Sequence, residues 1–500
     1  MKVDIIGGGI AGLSAGIYLQ QMGFSTTVYE AHSDVGGLCT GWQRGDYTFN
    51  GCIHWLLGAQ DGISFYHFWR EIIDIDSINF FMPDERVVFE LPMTDNHGCN
   101  QFHYYTDIDR FEHYLLDIAP EDKHEILQWT SAVRFIMPYL DYLPPVFPKG
   151  FFKGLLFKMK LAKLLPVLPF MRRWGRLSNT EYASRFSNDF LREGLCRLYD
   201  SPMRMTVLLF AQAYAAKHVA QYPLGGSLHF SHILGKKYTD VGGTIRTNCR
   251  VNSISTNHDV ANGLVLANGE TTHADFVISA ADWHWTVFDA LNGQYVNKKI
   301  SSLRNPDKDL VYFSYCRLFL GIKTDMNDAP HFSRFLTDPI TMPDGTTYDH
   351  LEVEVYNYDH SLAPDGKVTM AVNLLTREGQ WWINLRQNDF DGYRKAKQQL
   401  QNDIISRLTS HFGNEWHSNI EVVDLCTPAS YHRFTSNLYG SSQGWTPLNN
   451  IMSRLPISDT LPDLRNFFMV GQWMEAGGGL PVALYSARKV AHKIAKLNHR

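Results

Sequence analysis

The chain has 500 residues, of which 44% are hydrophobic and 19% charged, and it carries a net charge of -5. That length supports a large core in two or more lobes, and that balance excludes a disordered chain. A negative net charge also argues against a nucleic-acid partner, because the basic residues are interleaved with Leu and not with base-stacking aromatics.

The N-terminal residues Val3, Ile5 and Ile6 predict a short buried strand. Gly7, Gly9 and Gly12 then form GxGxxG, and Leu13, Ile17 and Leu19 mark the apolar side of a helix. The Met-Lys start is read as the beginning of this strand and not as a secretory leader. "TTVYE" predicts a second strand that ends in the acid Glu30. In such a unit Gly7 permits the turn, Gly9 lets backbone approach a pyrophosphate, and Gly12 and Gly16 let the helix lie close on the sheet. The helix N-terminus faces the phosphates, and Glu30 accepts from a ribose. Strand, glycines, helix and acid together make a strong dinucleotide signal. Glu30 alone does not separate FAD from NAD.

The following stretch, "SDVGGLCTGWQRGDYTFNGCIHW", places the pair Gly36-Gly37 after the second strand. It resembles the FAD-binding amine oxidase superfamily. Within that superfamily it is most similar to the branch of phytoene desaturases, carotenoid isomerases and retinol saturases. The resemblance implies FAD as cofactor, with Gly36 and Gly37 meeting the dinucleotide and Ile10, Ala11 and Ala31 among its contacts. Many members carry Arg directly after the glycine pair. Here Leu38 stands there, which leaves more of the phosphate contact to backbone amides and makes amine oxidation the less favoured chemistry.

Further blocks repeat the superfamily's pattern. "QYPLGGSLHFSHIL" reads as a turn and a helix, and "GGTIRTNCRVNSI" as strand, turn, strand. The resemblance puts the Val251 backbone at the adenine. A hairpin-like turn is expected at Asn268-Gly269, and a strand from Phe276 to Ala280 returns to the nucleotide domain. "DHSLAPDGKVTMAV" resembles a segment that leads into a substrate-domain strand. "CTPASYHRFTSNLYGSSQGW" matches the family's Thr-Pro start and its glycine-punctuated end. In "NFFMVGQWMEAGGGLPVALYSARKV", the resemblance implies that Gly471-Gln472 meets the ribityl-phosphate chain and that Gly479, Leu480, Pro481 and Val482 lie near the flavin ring. The expected fold class is therefore α/β. A Rossmann-like FAD-binding domain (parallel sheet plus β-meander; 1–80, 216–299 and 423–500) is interleaved with an α+β substrate domain (81–215 and 300–422).

The seven cysteines, Cys39, Cys52, Cys99, Cys196, Cys249, Cys316 and Cys426, are scattered and include no CxxC. That argues against a disulfide framework or a zinc site and for a reducing, cytoplasmic compartment. His229 and His232 share a predicted helix but lack further ligands, so no metal is expected. No second nucleotide fingerprint is present, so electrons are expected to pass to or from a quinone, oxygen or a redox protein.

The resemblance implies an FAD-dependent enzyme acting on carbon–carbon double bonds of a long apolar substrate, by desaturation, saturation or isomerisation. His54 and Tyr47 are expected near the flavin, with His54 as proton donor or hydroxyl anchor or, equally, as a packed structural histidine. Two alternatives stand beside this. One is an amine oxidase, which requires an aromatic pair facing the flavin. The other is a prenyl-lipid escort protein that no longer uses flavin. Between Lys149 and Arg176 there are eight Lys/Arg and no acid. This segment is expected to lie on a membrane surface, with Lys153, Lys160 and Lys163 on one helical face and with Pro166 and Pro169 interrupting any helix. No run of about 18 apolar residues is present, so no spanning helix is expected.

Overall fold

The first apolar run forms the strand Lys2–Ile6, and its sheet is completed by the next strand of the chain and by three from distant parts. The computed structural model describes residues 1–142, 164–198, 203–324, 326–446, 458–475 and 477–498. Five parallel strands lie in the order Thr244–Arg246, Ser25–Tyr29, Lys2–Ile6, Phe276–Ser279, Phe467–Met469. In chain order this is 3-2-1-4-5, a doubly wound arrangement whose direction reverses beside the first strand. The helices Ile10–Gln21, Gly226–Asp240 and Gly479–Asn498 pack through Leu13, Ile17, Phe230, Leu234, Leu484 and Ala487. Gly16 makes this possible, because a Cβ there would stand 2.5 Å from the Tyr238 ring.

A second sheet has seven strands, in the order Ile420–Cys426, Ser314–Ile322, Val368–Thr376, Thr347–Val355, Phe332–Thr341, Glu85–Glu90, Gln101–Tyr105. Its pairs are antiparallel except Phe332–Thr341 with Glu85–Glu90. Alternation sets its faces. Cys316, Leu318, Val353, Val372 and Leu374 point to the helix Phe390–Phe412 and its neighbours. Tyr315, Arg317, Glu352, Glu354 and Asn373 point the other way. A helical layer built from Ile108–Ile118, Lys123–Ile136, Val167–Trp174 and Met205–Ala216 has a separate core around Phe111, Trp129, Trp174 and Leu209.

Three sequence expectations meet the structure here. The longer hairpin joins Val251–Asn257 to Val260–Leu266 through His258 and Asp259, which both have positive φ (49° and 59°). The expected hairpin-like turn at Asn268-Gly269 is also present, with Leu266 N on Glu270 O at 2.8 Å and a short antiparallel bridge from Val265 to Thr271. Second, helical backbone at Leu164 breaks at Leu165 and Pro166, as expected, whereas Pro169 interrupts nothing. The helix Val167–Trp174 starts after Pro166 and holds Pro169 in its first turn, where the missing N–H breaks no i→i−4 bond. Third, Tyr47 packs against Phe49 and Phe319 beneath the second sheet, and its hydroxyl donates to Glu421 Oε2 at 2.8 Å. Lys153, Lys160 and Lys163 lie outside the described residues.

Candidate functional site

The order of the parallel sheet fixes where a ligand can enter. At the C-terminal end of Lys2–Ile6 the strand order reverses toward Phe276–Ser279, and Gly7 and Ala280 both line a cavity at this crevice. Gly7 turns with φ +94°, and Gly9 starts the helix Ile10–Gln21 with no side chain capping its first amides. The second glycine pair lies directly against the first. Gly36 N donates to Gly8 O at 2.9 Å, and a Cβ on Gly37 would stand 3.3 Å from Gly9 Cα. Two backbones thus approach with no side chains between them, beside a helix N-terminus, which is the donor set that a pyrophosphate requires.

The glycines of the motif divide by role. A Cβ on Gly9 would have only ordinary contacts, 3.7 Å to Gly36 O and 3.8 Å to Gly37 Cα. A Cβ on Gly12 would stand 2.0 Å from Gly7 O. Gly9 leaves room for a ligand, whereas Gly12 leaves room for the protein itself.

Glu30 is buried at the end of its strand. Its Oε2 accepts from Gly8 N at 2.6 Å and its Oε1 from His32 N at 3.0 Å, so it braces the glycine loop while facing the same cavity. Cys249 N donates to Glu30 O at 2.7 Å, which brings Val251 alongside. From the far end of the chain, Ser486 Oγ accepts from Gly471 N at 2.8 Å. Gly477, Gly478 and Gly479 all have positive φ as they lead into the helix Gly479–Asn498.

One cavity of about 1220 Å³ joins these parts. Gly7, Gly9, Ile10, Ala11, Glu30, Ala31, Gly36, Gly37, Leu38, Val251, Ala280, Gly471, Gln472, Gly479, Leu480, Pro481 and His54 line it. Gly12 does not, for the packing reason above. Val482 faces the core instead, 6% exposed. The residues present fit FAD: a helix N-terminus and facing glycines for two phosphates, a buried carboxylate for a ribose, and a glycine-rich helix start at the other end.

Beyond the glycines the cavity widens between the second sheet and the helix Met205–Ala216. Val207, Leu208, Phe210 and Tyr214 of that helix line it, as do Tyr104, Tyr222, Phe332 and Leu375. This wall was not legible as a site, because "MTVLLFAQAYAA" reads as an ordinary buried helix.

His54 sits beside the buried ion pair of Arg317 and Glu354. Burial holds its imidazole below the usual range, Glu354 opposes that shift and Arg317 reinforces it, so the ring is neutral at pH 7. Burial works against the Glu354 carboxylate, but Arg317, His54, Tyr356 and Asn373 outweigh it and hold the group below the ordinary glutamate range. Sequence reasoning missed this cluster. The signal was present as charged residues at every second position of apolar strands, in "LEVEV" and "YCRLF".

Among the described residues no group of His, Cys, Asp and Glu is placed to hold a metal ion, and no helix is long and apolar enough to cross a membrane. His232 pairs with Asp34 at 2.7 Å.

Residues 5–72 match the model of the NAD(P)-binding Rossmann-like domain, and residues 220–495 match that of the flavin containing amine oxidoreductases. Similar proteins include 4,4'-diaponeurosporene oxygenase of Staphylococcus aureus (strain MRSA252), 23% identical over 98% of this chain and 97% of that protein. Chloroplastic prolycopene isomerase of Daucus carota is 24% identical over 98% and 79%. The crystal structure of an oxidoreductase from Methanosarcina mazei superposes with a TM-score of 0.60, at 15% identity, over 98% of this chain and all of that one.

Proposed function

This chain belongs to the flavin-containing amine oxidoreductase family, and from that premise we propose that it is an FAD-dependent oxidoreductase acting on carbon–carbon double bonds of a long apolar polyene or isoprenoid lipid. The observation that carries this reading is the continuity of one cavity from the glycine-lined crevice to an apolar, aromatic chamber. The activities of the two relatives, an oxygenase of diaponeurosporene and an isomerase of prolycopene, support the substrate class. The reading keeps the nucleotide domain at 1–80, 216–299 and 423–500 and the substrate domain at 81–215 and 300–422.

FAD is the cofactor, and when bound it supplies the capacity to accept or return a hydride equivalent. In this reading the backbone amides of Ile10 and Ala11, with Gly9, Gly36 and Gly37, hold the phosphates. Glu30 accepts from the ribose, and Gly471 and Gln472 take the ribityl-phosphate chain. Gly479, Leu480 and Pro481 bound the ring. Phe210, Tyr214, Tyr222 and Phe332 exclude water and align the chain of the lipid, which an unactivated carbon requires. His54, neutral at rest, holds or delivers a proton at an imidazole nitrogen.

The lipid enters from a membrane surface. Leu165 and Leu168 are 55% and 56% exposed, and Phe135 and Val207 are exposed on adjoining helices beside the basic Arg172 and Arg173. Phe170 stacks on Phe135 and touches Phe210 of the cavity wall, so this patch borders the chamber.

Mass spectrometry of lipids that co-purify with the yellow holoprotein tests the reading. A retained polyene or isoprenoid supports it. A bound amine, or a colourless protein that FAD cannot reconstitute, rejects it.

A further inference from the structure

Two cysteines that lie apart in the sequence meet in the cavity wall. The hairpin of Gly41–Arg44 and Tyr47–Asn50 pairs Arg44 with Tyr47 and Gly41 with Asn50. One step further from the turn, Gly51 N donates to Thr40 O at 2.9 Å. The next step of the same register sets Cys39 opposite Cys52. Opposed residues of such a ladder have Cα atoms about 4.5–5.5 Å apart, within the roughly 4.4–6.8 Å that a disulfide spans. The two thiols are hydrogen-bonded to each other. Both are free, and both residues line the cavity.

The surroundings hold the pair in place. Ser227, near the start of the helix Gly226–Asp240, braces both sides. Its carbonyl accepts from Cys39 Sγ at 3.5 Å, and its hydroxyl oxygen accepts from Ile53 N at 2.7 Å. Arg317 Nη1 donates to Gly51 O at 3.4 Å, which brings the guanidinium to the residue beside Cys52.

The two thiols are not equivalent. Cys39 is 3% exposed, and burial raises its thiol well above the usual range, with the bond to Cys52 adding to this. At Cys52 the bond from Cys39 lowers the thiol, burial opposes that, and Arg317 lowers it further, so the net shift is downward. Cys39 is thus the S–H donor, and negative charge settles on the half-buried Cys52. A thiolate-prone sulfur beside a protonated thiol is the arrangement that reacts with an oxidant and then closes to a disulfide.

No step of the lipid chemistry uses these thiols. We propose that Cys39 and Cys52 form a peroxide-reducing dithiol in the wall of the cofactor cavity, a second redox activity beside the one on the lipid. The Cys52 thiolate attacks one oxygen of hydrogen peroxide, the O–O bond breaks, and Cys52 becomes a sulfenic acid. The departing hydroxide takes up the proton that Cys52 gave on ionising and leaves as water. The Cys39 sulfur then attacks the Cys52 sulfur, the S–O bond breaks, and the Cys39 proton leaves with that oxygen as a second water. One peroxide and two thiols give one disulfide and two waters, with two electrons passing from sulfur to oxygen. A low-molecular-weight dithiol returns the pair to its reduced state by exchange. The cavity has a local need for this chemistry, because a reduced flavin that meets oxygen releases peroxide.

The test treats reduced, desalted holoprotein with one equivalent of hydrogen peroxide, blocks the remaining thiols with iodoacetamide in denaturant, and maps the non-reduced peptides by mass. One cross-link is expected, Cys39 to Cys52, two hydrogens lighter than the free pair and reversed by dithiothreitol. It should form at least about 10-fold faster than the exposed Cys99 is oxidised, the thiolate being the reactive form. In Cys39→Ala the reaction should stop at a sulfenic acid on Cys52, which dimedone traps. In Cys52→Ala no adduct should form on Cys39. Flavin content and Tm check that both variants fold, and the map of the parent needs neither of them. Cys39 and Cys52 that are recovered alkylated while Cys99 is oxidised overturn the proposal. A dimedone adduct on Cys39 in Cys52→Ala, with none on Cys52 in Cys39→Ala, also overturns it. The assay contains no lipid, so its failure leaves the double-bond reading standing.

Discussion

Replacing Gly9 by Val separates the ligand's space from the protein's. Gly9 has φ −74° and ψ 178°, an extended conformation open to any residue. Its added Cβ would meet Gly36 O at 3.7 Å and Gly37 Cα at 3.8 Å, ordinary contacts. The fold should therefore lose about 1 kcal/mol, the usual scale for changing a helix N-cap. The γ-methyls, however, fill the gap between the two glycine pairs. If they displace the pyrophosphate from two amides, each worth about 1.5–3 kcal/mol, FAD affinity falls about 10²- to 10⁴-fold. Gly12→Ala is the contrasting control, since its Cβ would stand 2.0 Å from Gly7 O and must push the helix off the sheet. Flavin-to-protein ratio after gel filtration, with thermal unfolding of the apoproteins, reads both. Gly9→Val should be folded and colourless, and Gly12→Ala should lose fold and flavin together. A Gly9→Val protein with full flavin content refutes the assignment of the crevice.

Gly479→Leu has room, with Pro481 Cδ 3.9 Å away as the nearest contact, but φ +74° strains an L-residue by about 1–2 kcal/mol. It should fold with a slightly lower Tm and bind FAD poorly or leave it unreactive, which flavin absorbance and polyene turnover would report. Burial pushes His331 down to about 4, against an opposing pull from Glu354. The unfolded chain then takes up this proton first as pH falls, so stability present above about 6.5 is lost toward 4, by at most about 3 kcal/mol. Urea unfolding at several pH values should give a shallower acid slope for His331→Leu than for the parent. Co-sedimentation with anionic liposomes should fall with salt, and in both Leu165→Asp/Leu168→Asp and Lys153→Glu/Lys160→Glu/Lys163→Glu, with flavin content unchanged. Undiminished binding by the folded variants would remove the membrane role of this surface.

The nucleotide end was legible because each of its glycines answers a local geometric demand, and local demands survive in a single sequence. Strand, helix and acid lie within the first 30 residues, and the resemblance supplied the distant strands that complete the sheet. The polar cluster beside His54 was not legible. Arg317, Arg334, Glu352 and Asn373 come from four strands, and alternating charges in an apolar strand usually mark a face in water. Here that face is covered by the helical layer and the 51–55 segment, so the same pattern marks a buried site. The His258-Asp259 turn escaped for a similar reason. Asn-Gly is the stronger turn signal, yet two other residues in left-handed conformation close the longer hairpin. Tyr47 follows the glycine pair closely in sequence, but the hairpin Gly41–Arg44/Tyr47–Asn50 carries it under the second sheet.

The central claim is chemical action on a double bond by the FAD holoprotein. Its most direct measurement is anaerobic incubation with a polyene such as geranylgeraniol, with the product resolved by mass and by chromatography. The account predicts a product two hydrogens lighter from the oxidised holoprotein as its flavin bleaches, or a product two hydrogens heavier from holoprotein first reduced with dithionite as its flavin reoxidises, or an isomer of unchanged mass. An unaltered polyene, alongside flavin that bleaches on addition of a primary amine, would contradict it.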